Sequence, residues 1–325
     1  DFNGIIAGSP GMNMAPQFAL LYAWLVRANT TAGGHQILTA ENLPALHAAV
    51  LRACGNAQGL ITDPRQCSFD PASIQCRPDT QSGSCLTPAQ VSAVAKFYRG
   101  PTDQQGRNLY NGGEPYGSEL GWAGIFVLPA ADQNAPADSM AAQSALNYLN
   151  YLAFWPNPQQ NLTLADIPFT AAEFHRLNRL GNPLYNANNP DLRAFAAHDG
   201  KLIIYHGWAD QDIPPWSTLD YYQAAERAAG GYQASQSFSR LYLIPGAYHC
   251  LIGPDEQTAN TADFLSPLIA WVRRRTPPGA VAAPTWSIPQ NKIIEDQTVR
   301  PYDALAPVTP ANGSLNSNYR YIGSY

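Results

Sequence analysis

Three short runs of apolar residues, each closed by a Gly or Pro turn, constrain this chain more than any other feature of its sequence. They are Gly4 to Ala7, Lys201 to Tyr205 (KLIIY) and Arg240 to Ile244 (RLYLI). Short continuous apolar runs are typical of strands in a parallel sheet that is covered on both faces. The pattern therefore predicts a buried parallel sheet built from segments far apart in the chain.

Helical patterns follow two of these strands. Thr218 to Ala229 has helical spacing and ends at Gly230-Gly231, which is a helix stop signal. Thr261 to Arg275 repeats the pattern and ends in three arginines, where cations suit the helix dipole. Its expected apolar face consists of Leu265, Leu268, Ile269 and Val272. Alternating strands and helices predict a doubly wound α/β core.

The middle of the chain has a different rhythm, which predicts an inserted lid domain. It contains a cysteine cluster, a helix start at Thr87-Pro88, a Gly- and aromatic-rich stretch (LYNGGEPYGSELGWAGIF) and a helix near Ala141 to Phe154. We therefore expect three parts: a core strand at residues 1–11, a lid at residues 12–190, and the rest of the core at residues 191–325.

Composition argues against two classes of partner. The chain has 325 residues, of which 13% are charged, and its net charge is -5 with lysines and arginines scattered. No basic stripe for nucleic acid is present. The longest apolar stretch, near Phe18 to Val26, is about half the length of a membrane span. Asp1-Phe2-Asn3 leads directly into a strand, so we expect the natural chain to start upstream of residue 1.

Five cysteines indicate an oxidising compartment. Four of them, Cys54, Cys67, Cys76 and Cys85, lie close together in a Pro- and Asp-rich stretch that suits two local disulfides. A zinc site is the competing interpretation, but the spacings lack any CxxC pair. Cys250 is then left over, and an odd cysteine in a secreted protein requires a partner elsewhere. We predict a secreted or periplasmic protein.

An acid and a histidine follow successive strands. Asp210 lies five residues after the KLIIY strand, and His249 lies five residues after RLYLI. Ligands of open α/β sheets bind outside the carboxyl ends of the strands, so both side chains are expected at the same rim. This order matches the acid and base of an α/β-hydrolase triad. By spacing alone, Asp212 is an alternative candidate for the acid. His206 begins the same loop and is expected to make a structural hydrogen bond.

Ser9 resembles a hydrolase nucleophile in the segment Ala7-Gly8-Ser9-Pro10-Gly11. A nucleophile elbow needs a backbone N–H on the residue after the serine, because that group forms half of the oxyanion hole. Pro10 has no backbone N–H, so Ser9 lacks this oxyanion-hole donor and is not expected to be the nucleophile. No other serine lies in a G-x-S-x-G setting. The nucleophile is therefore expected outside this sequence, which predicts that this chain alone is inactive.

The chain resembles the tannase and feruloyl esterase family from residue 1 to about residue 273. The matching segments are DFNGIIAGSP, CSFDP, SCLTPAQV, YGSELGW, the stretch from Asn189 to Pro215, GAYHC and PLIAWV. The resemblance implies a partial α/β-hydrolase core with a large lid insertion. It also implies a serine carboxylesterase with Asp210 as acid and His249 as base.

The resemblance further implies specific cysteine pairs. Family members carry a Gly-Cys-Ser-x-Gly-Gly elbow shortly before the strand that here reads DFNGIIAGSP. The cysteine of that elbow pairs with the one beside the histidine, which corresponds to Cys250. We therefore expect Cys250 to be linked to an N-terminal segment or companion chain, and we expect Cys54–Cys67 and Cys76–Cys85 pairs.

One departure from the family concerns calcium. Relatives have an acidic loop after the first lid cysteine, whereas this chain reads CGNAQGLITDP, with Gly55 and Gln58 where carboxylates are expected. Calcium needs six to eight oxygen ligands. We predict that this loop binds no metal, that no cofactor is needed, and that Asp63 and Asp70 are turn residues.

The predicted function is hydrolysis of small aromatic esters, such as feruloyl, galloyl or related phenolic or benzoate esters. Aromatic and apolar side chains suit a flat acyl group. The candidates are Tyr116, Trp122 and Phe126 from the lid, with Trp208 and Ile213 from the acid loop. Two alternatives remain: a binding module for phenolics or polysaccharide without catalysis, and an epoxide- or haloalkane-type hydrolase, which the Cys250 argument disfavours.

Overall fold

The computed structural model describes residues 2–78, 83–154, 161–181, 184–254, 256–304 and 306. These residues form two compact units. The sheet unit contains residues 2–12 and 188–306, and the helical unit contains residues 13–187. Within the described ranges, no helix combines the length and apolarity needed to cross a membrane.

The helical unit is built from helices and short turns. Its α-helices are α1 (Met14–Pro16), α2 (Ala23–Ala28), α3 (Leu43–Cys54), α4 (Pro88–Arg99), α5 (Met140–Asn147) and α6 (Ala171–Gly181). Two π-helical segments, Gln17–Tyr22 and Tyr148–Leu152, follow α1 and α5 directly. Its 3₁₀ turns are Ala40–Asn42, Pro64–Gln66, Pro71–Ile74, Glu119–Trp122, Ala130–Asp132, Pro136–Asp138 and Leu164–Asp166.

The start of α4 confirms the predicted helix boundary. The side chain of Thr87 accepts a hydrogen bond from the backbone N–H of Gln90 at 3.3 Å, and the Thr87 N–H donates to Oε1 of Gln90 at 2.9 Å. This reciprocal capping box satisfies two backbone N–H groups that would otherwise be unpaired at the start of the helix. Pro88 occupies the first helical position, where its missing N–H costs nothing.

The cysteine cluster forms the two expected disulfides. Cys54 is joined to Cys67 and Cys76 to Cys85. The zinc interpretation is therefore wrong for these four residues, because disulfide sulfurs are not thiolate ligands. Asp63 and Asp70 cap short turns by accepting the backbone N–H groups of Arg65 and Ala72, as expected for turn residues.

A three-stranded parallel sheet forms the centre of the sheet unit. Its strands are β1 (Gly4–Gly8), β2 (Lys201–Gly207) and β3 (Ser239–Ile244), in the order β1-β2-β3. All three predicted strands are confirmed, each extended by one or two residues. Every residue of β3 is buried, as expected for a parallel strand covered on both faces, and the apolar run within it is Leu241–Ile244.

The remaining elements of the sheet unit surround this sheet. The helices are α7 (Arg193–Ala197), α8 (Trp216–Ala229), α9 (Tyr232–Ser235) and α10 (Leu265–Arg274), with a 3₁₀ turn at His249–Leu251. The short strands are β4 (Thr258–Asn260), β5 (Val281–Ala282), β6 (Thr285–Ser287), β7 (Lys292–Glu295) and β8 (Thr298–Val299). They form the antiparallel sheets β4-β6-β7 and β5-β8. As predicted, α8 ends at Gly230, which adopts a left-handed conformation.

Helix α10 corrects the sequence prediction in two ways. It begins at Leu265 rather than Thr261, because the carboxylate of Asp263 accepts the N–H groups of Leu265 and Ser266 and caps the helix there. Its buried face also differs from the predicted one. Leu268 and Trp271 are buried, whereas Leu265 is 59% exposed and Ile269 is 45% exposed.

Candidate active site

Two loops at the carboxyl ends of neighbouring strands form the candidate site. The acid loop, residues 208–215, follows β2, and the histidine loop, residues 245–251, follows β3. They are joined backbone to backbone: the N–H of Trp208 donates to the Ile244 carbonyl at 2.9 Å, and the N–H of Ala209 donates to the Ala247 carbonyl at 3.0 Å. The parallel sheet thus brings residues about forty positions apart to one rim.

Gly207 allows the two loops to approach so closely. A methyl group built on this glycine lies 2.1 Å from the carbonyl oxygen of Ala247 and 3.0 Å from that of Tyr248. Both distances are shorter than van der Waals contact, and both neighbours are backbone atoms that side-chain rotation cannot move. A side chain at position 207 therefore requires the histidine loop to shift away from β2.

Asp210 and His249 are in direct contact. Nδ1 of His249 lies 3.2 Å from Oδ1 and 3.1 Å from Oδ2 of Asp210. An ionised carboxylate only accepts hydrogen bonds, so Nδ1 carries the proton in this pair. The lone pair of the neutral imidazole is then on Nε2, which is the arrangement that a general base requires.

Burial and hydrogen bonding act in opposite directions on both members of the pair. Asp210 is fully buried, which by itself raises the pKa of a carboxyl. Hydrogen bonds from His206 and His249 outweigh that effect and lower the pKa of Asp210 to about 2. For His249, burial lowers the pKa, but the hydrogen bond and charge of Asp210 prevail and hold it above the usual value. The acid is therefore ionised at neutral pH.

The histidine loop is also held by two residues that the sequence analysis did not assign to it. The backbone N–H of His249 donates to Oε1 of Gln211 at 3.4 Å, and the N–H of Cys250 donates to the hydroxyl of Ser9 at 3.3 Å. Cys250 adopts a positive φ of 52°, which turns the chain sharply after the histidine. No sequence pattern indicated these bonds, although Gln211 adjoins the acid.

The rival acid, Asp212, has a different environment. Burial raises the pKa of its carboxyl to about 6, while the charge of His249 opposes that increase and the charge of Asp210 adds to it. The structure gives Asp210 the bond to Nδ1 of His249, as the family resemblance implies. Asp212 is a second carboxyl close to the same pair.

The five predicted binding residues lie in different units. In the sheet unit, Trp208 is buried against Trp216 and Tyr302, and Ile213 is partly buried. In the helical unit, all three candidates are core residues, since Tyr116 is 4%, Trp122 is 0% and Phe126 is 2% exposed. Their ring neighbours are Tyr98, Phe97 and Tyr22 respectively. Substrate binding by these five residues stays a prediction.

The thiol of Cys250 adjoins the candidate base His249. Cys250 is exposed and has no disulfide partner among the described residues. In that same part of the chain, no group of three or more His, Cys, Asp or Glu side chains is arranged to hold a metal ion. The side chains described at this site offer a carboxylate, an imidazole and a nearby thiol.

Sequence comparisons connect this geometry to known proteins. The family model for tannase and feruloyl esterase matches residues 1–321. Mono(2-hydroxyethyl) terephthalate hydrolase of Piscinibacter sakaiensis is 27% identical over 88% of this chain and 53% of its own length. A probable feruloyl esterase of Arthroderma benhamiae is 26% identical over 87% of this chain and 52% of its own. The chain spans about half the length of these relatives.

Structural comparison supports the same fold. Feruloyl esterase B from Aspergillus oryzae superposes with a TM-score of 0.74 at 22% identity, over 93% of this chain and 60% of that one. Tannin acyl hydrolase from Aspergillus niger gives a TM-score of 0.72 at 18% identity, over 93% and 57%. The expected fold class, an α/β-hydrolase core with an inserted domain, is confirmed.

Proposed function

The chain belongs to the tannase and feruloyl esterase family, and from that premise we propose that it carries the acid and base of a secreted or periplasmic serine carboxylesterase. The single observation that carries this proposal is the contact of 3.1 Å between Nδ1 of His249 and the buried carboxylate of Asp210. Two disulfides support an oxidising compartment.

In the proposed mechanism His249 moves a proton twice. Its Nε2 accepts the proton of a serine hydroxyl while the serine oxygen attacks the ester carbonyl, and the imidazolium then gives that proton to the leaving alcohol. Water attacks the resulting acyl-enzyme, losing its proton to Nε2, and the carboxylic acid leaves as the serine recovers its hydrogen. Asp210 stabilises the imidazolium in both steps and keeps Nδ1 protonated.

The nucleophile in this proposal is a serine of the full-length protein outside the present sequence. Ser9 is an unsuitable candidate, because Pro10 offers no N–H for an oxyanion hole and its hydroxyl already accepts a bond from the N–H of Cys250. The exposed thiol of Cys250 adjoins His249, so a disulfide from it could hold a second segment beside the base.

The proposed substrates are small esters of phenolic or benzoic acids. The names of the relatives support this class, since they include a terephthalate monoester hydrolase and feruloyl esterases. Trp208 and Ile213 lie in the acid loop itself, so they are the candidates nearest in sequence to the acid. Tyr116, Trp122 and Phe126 remain candidates from the helical unit.

Labelling with a fluorophosphonate tests the proposal directly. The full-length protein is treated with the probe, digested and mapped by mass spectrometry, in the wild type and in His249→Gln. We expect one labelled serine outside these 325 residues and strongly reduced labelling in the variant. Labelling of Ser9, or no labelling at all, contradicts the proposal and favours a non-catalytic binding role.

A matched control separates loss of the base from loss of a buried ion pair. His47 of the helical unit also contacts a buried carboxylate through Nδ1, at 2.6 Å from Oε2 of Glu119. His47→Gln therefore removes an equivalent histidine–carboxylate pair from a different unit. We expect its labelling and its rate of hydrolysis of an aromatic ester to remain near those of the wild type.

A further inference from the structure

A second histidine, which precedes Asp210 in the sequence, also contacts its carboxylate. His206, on β2, is fully buried, and its Nε2 lies 3.2 Å from Oδ2 of Asp210. The same Nε2 lies 2.7 Å from the carbonyl oxygen of Ile213. Its other nitrogen, Nδ1, lies 2.9 Å from the hydroxyl of Thr218 on α8. Every polar atom of this buried ring therefore has a partner.

The partners determine where the proton of His206 lies. A backbone carbonyl only accepts hydrogen bonds, so Nε2 must carry a hydrogen and donate it to Ile213. Nδ1 then accepts the hydroxyl hydrogen of Thr218, whose alternative acceptor, the Pro10 carbonyl, is more distant at 3.5 Å. The ring is thus a neutral donor whose N–H also lies beside the carboxylate of Asp210.

These contacts form a closed ring with the acid loop. The N–H of Ile213 donates to Oδ1 of Asp210 at 2.8 Å, and the carbonyl of the same residue accepts from His206. Oδ2 of Asp210 in turn faces Nε2 of His206. The imidazole of His206 therefore links the turn from Asp210 to Ile213 to β2. Each oxygen of the Asp210 carboxylate has a partner that fixes its orientation: the Ile213 N–H for Oδ1 and Nε2 of His206 for Oδ2.

We propose that His206 is a positioning residue for ester hydrolysis, which holds the carboxylate of Asp210 in the orientation that binds Nδ1 of His249. This inference rests on the proposed function, because it assigns His206 to the same acid–base pair. A small error in the carboxylate's position costs much activity, since a displacement of about 1 Å in a catalytic group lowers rates by about 100-fold. A packing role alone affects stability and leaves His249 unchanged.

Two amide variants separate these roles. In His206→Gln the side-chain NH₂ reaches the position of Nε2, so it can still donate to Ile213. In His206→Asn the shorter amide reaches only the position of Nδ1 near Thr218. Tyr222→Phe is the matched control, because it removes a buried hydrogen bond of 3.2 Å between α8 and β3, to Ser239, without touching the acid loop.

The measurements are made on the full-length protein. They are the NMR signal of the Nδ1 proton of His249, the pH profile of kcat/KM for an aromatic ester, separate kcat and KM values, and the melting temperature. We expect His206→Asn to lower kcat by about 10- to 100-fold with little change in KM. We also expect the Nδ1 signal to move upfield and the acid limb to shift to lower pH, with His206→Gln close to wild type.

The opposite results overturn the inference. If His206→Asn lowers only the melting temperature, as Tyr222→Phe is expected to do, then His206 is a packing residue. If His206→Gln loses as much activity as His206→Asn while the Nδ1 signal of His249 stays in place, positioning is likewise excluded. If the wild type hydrolyses no ester, the proposed function fails, but the Nδ1 signal still tests the role of His206.

Discussion

At the scale of single residues, Asp210 combines full burial with a carboxylate that remains ionised. It keeps its charge because His249, His206 and the N–H of Ile213 all approach its two oxygens. Removing one partner from such a buried arrangement lowers the free energy of unfolding, because the remaining groups stay desolvated and lack a hydrogen-bond partner. Substitutions here should therefore affect catalysis more than their small change in size suggests.

Asp210→Asn should lower kcat of the full-length protein for an aromatic ester by about 10³- to 10⁴-fold. The amide can donate to Nδ1 and so favours the wrong tautomer of His249, with the proton on Nε2. Steady-state kinetics check the loss, and circular dichroism checks that the fold is kept. A loss of less than tenfold argues against Asp210 as the acid.

Asp212→Asn should raise the free energy of unfolding above that of the wild type at pH 7, and this gain should be about 2 kcal/mol larger at pH 7 than at pH 4. Burial raises the folded-state pKa of Asp212 to about 6, above the usual aspartate value of 3.8. A raised carboxyl pKa contributes stability below the unfolded value, and that contribution is lost as pH rises through the folded value. The amide cannot ionise, so urea unfolding at pH 4 and pH 7 should show a gain only at pH 7.

A gain that is equal at both pH values contradicts this ionisation argument. Asp212→Asn is also the control for the kinetics of Asp210→Asn, because it removes the neighbouring carboxylate instead. Because Asp210 carries the bond to Nδ1 of His249, the loss of kcat in Asp212→Asn should be less than about tenfold.

At the scale of elements, the end of β2 determines how closely the acid and histidine loops approach. Gly207→Ala should lower kcat/KM by about 100-fold, because its methyl group meets the Ala247 carbonyl and displaces the histidine loop. Kinetics and thermal melting measure the effect. Gly279→Ala is the control, since its methyl group meets no atom within 4 Å. Equal activities of the two variants contradict this view of the loop contact.

Helix α10 shows where a pattern of apolar residues is insufficient at this scale. Its periodicity correctly indicated a helix, but Leu265 and Ile269 are exposed while Leu268 and Trp271 are buried. Apolar residues occupy more than one face of this helix, so periodicity alone does not select the buried face. The selection depends on the parallel sheet, because Leu268 and Trp271 belong to one buried cluster with Ile203 of β2 and Tyr242 of β3.

At the scale of the whole molecule, two short disulfide loops stabilise a chain rich in turns. Cys54→Ser/Cys67→Ser should lower the free energy of unfolding by about 3 kcal/mol, and Cys76→Ser/Cys85→Ser by slightly less. The paired cysteines are 13 and 9 positions apart in the sequence, and the entropy that a crosslink removes from the unfolded chain grows slowly with loop length. Denaturant unfolding of the two double variants checks both values.

The opposite order of the two effects, or no effect, shows that loop entropy does not dominate here. Neither pair contains Cys250, so the thiol beside the candidate base is the same in both variants. Activity measured well below the melting temperature should therefore remain near that of the wild type.

The sequence by itself determined the local features of this protein. The strands at KLIIY and RLYLI, the helix start at Thr87 and the stop at Gly230 were all predictable, because each depends on neighbouring residues. The positions of Asp210 and His249 after successive strands were predictable for the same reason. Strand direction carries both residues to one edge of a parallel sheet.

Only the tertiary structure decided which groups touch. In the structure Asp210, and not Asp212, binds Nδ1 of His249, and His206 is a second histidine in contact with the same carboxylate. The histidine loop is also held by Gln211 and Ser9. These contacts join residues up to 241 positions apart. No local pattern encodes them, because they depend on the exact separation of loops that the packed sheet sets.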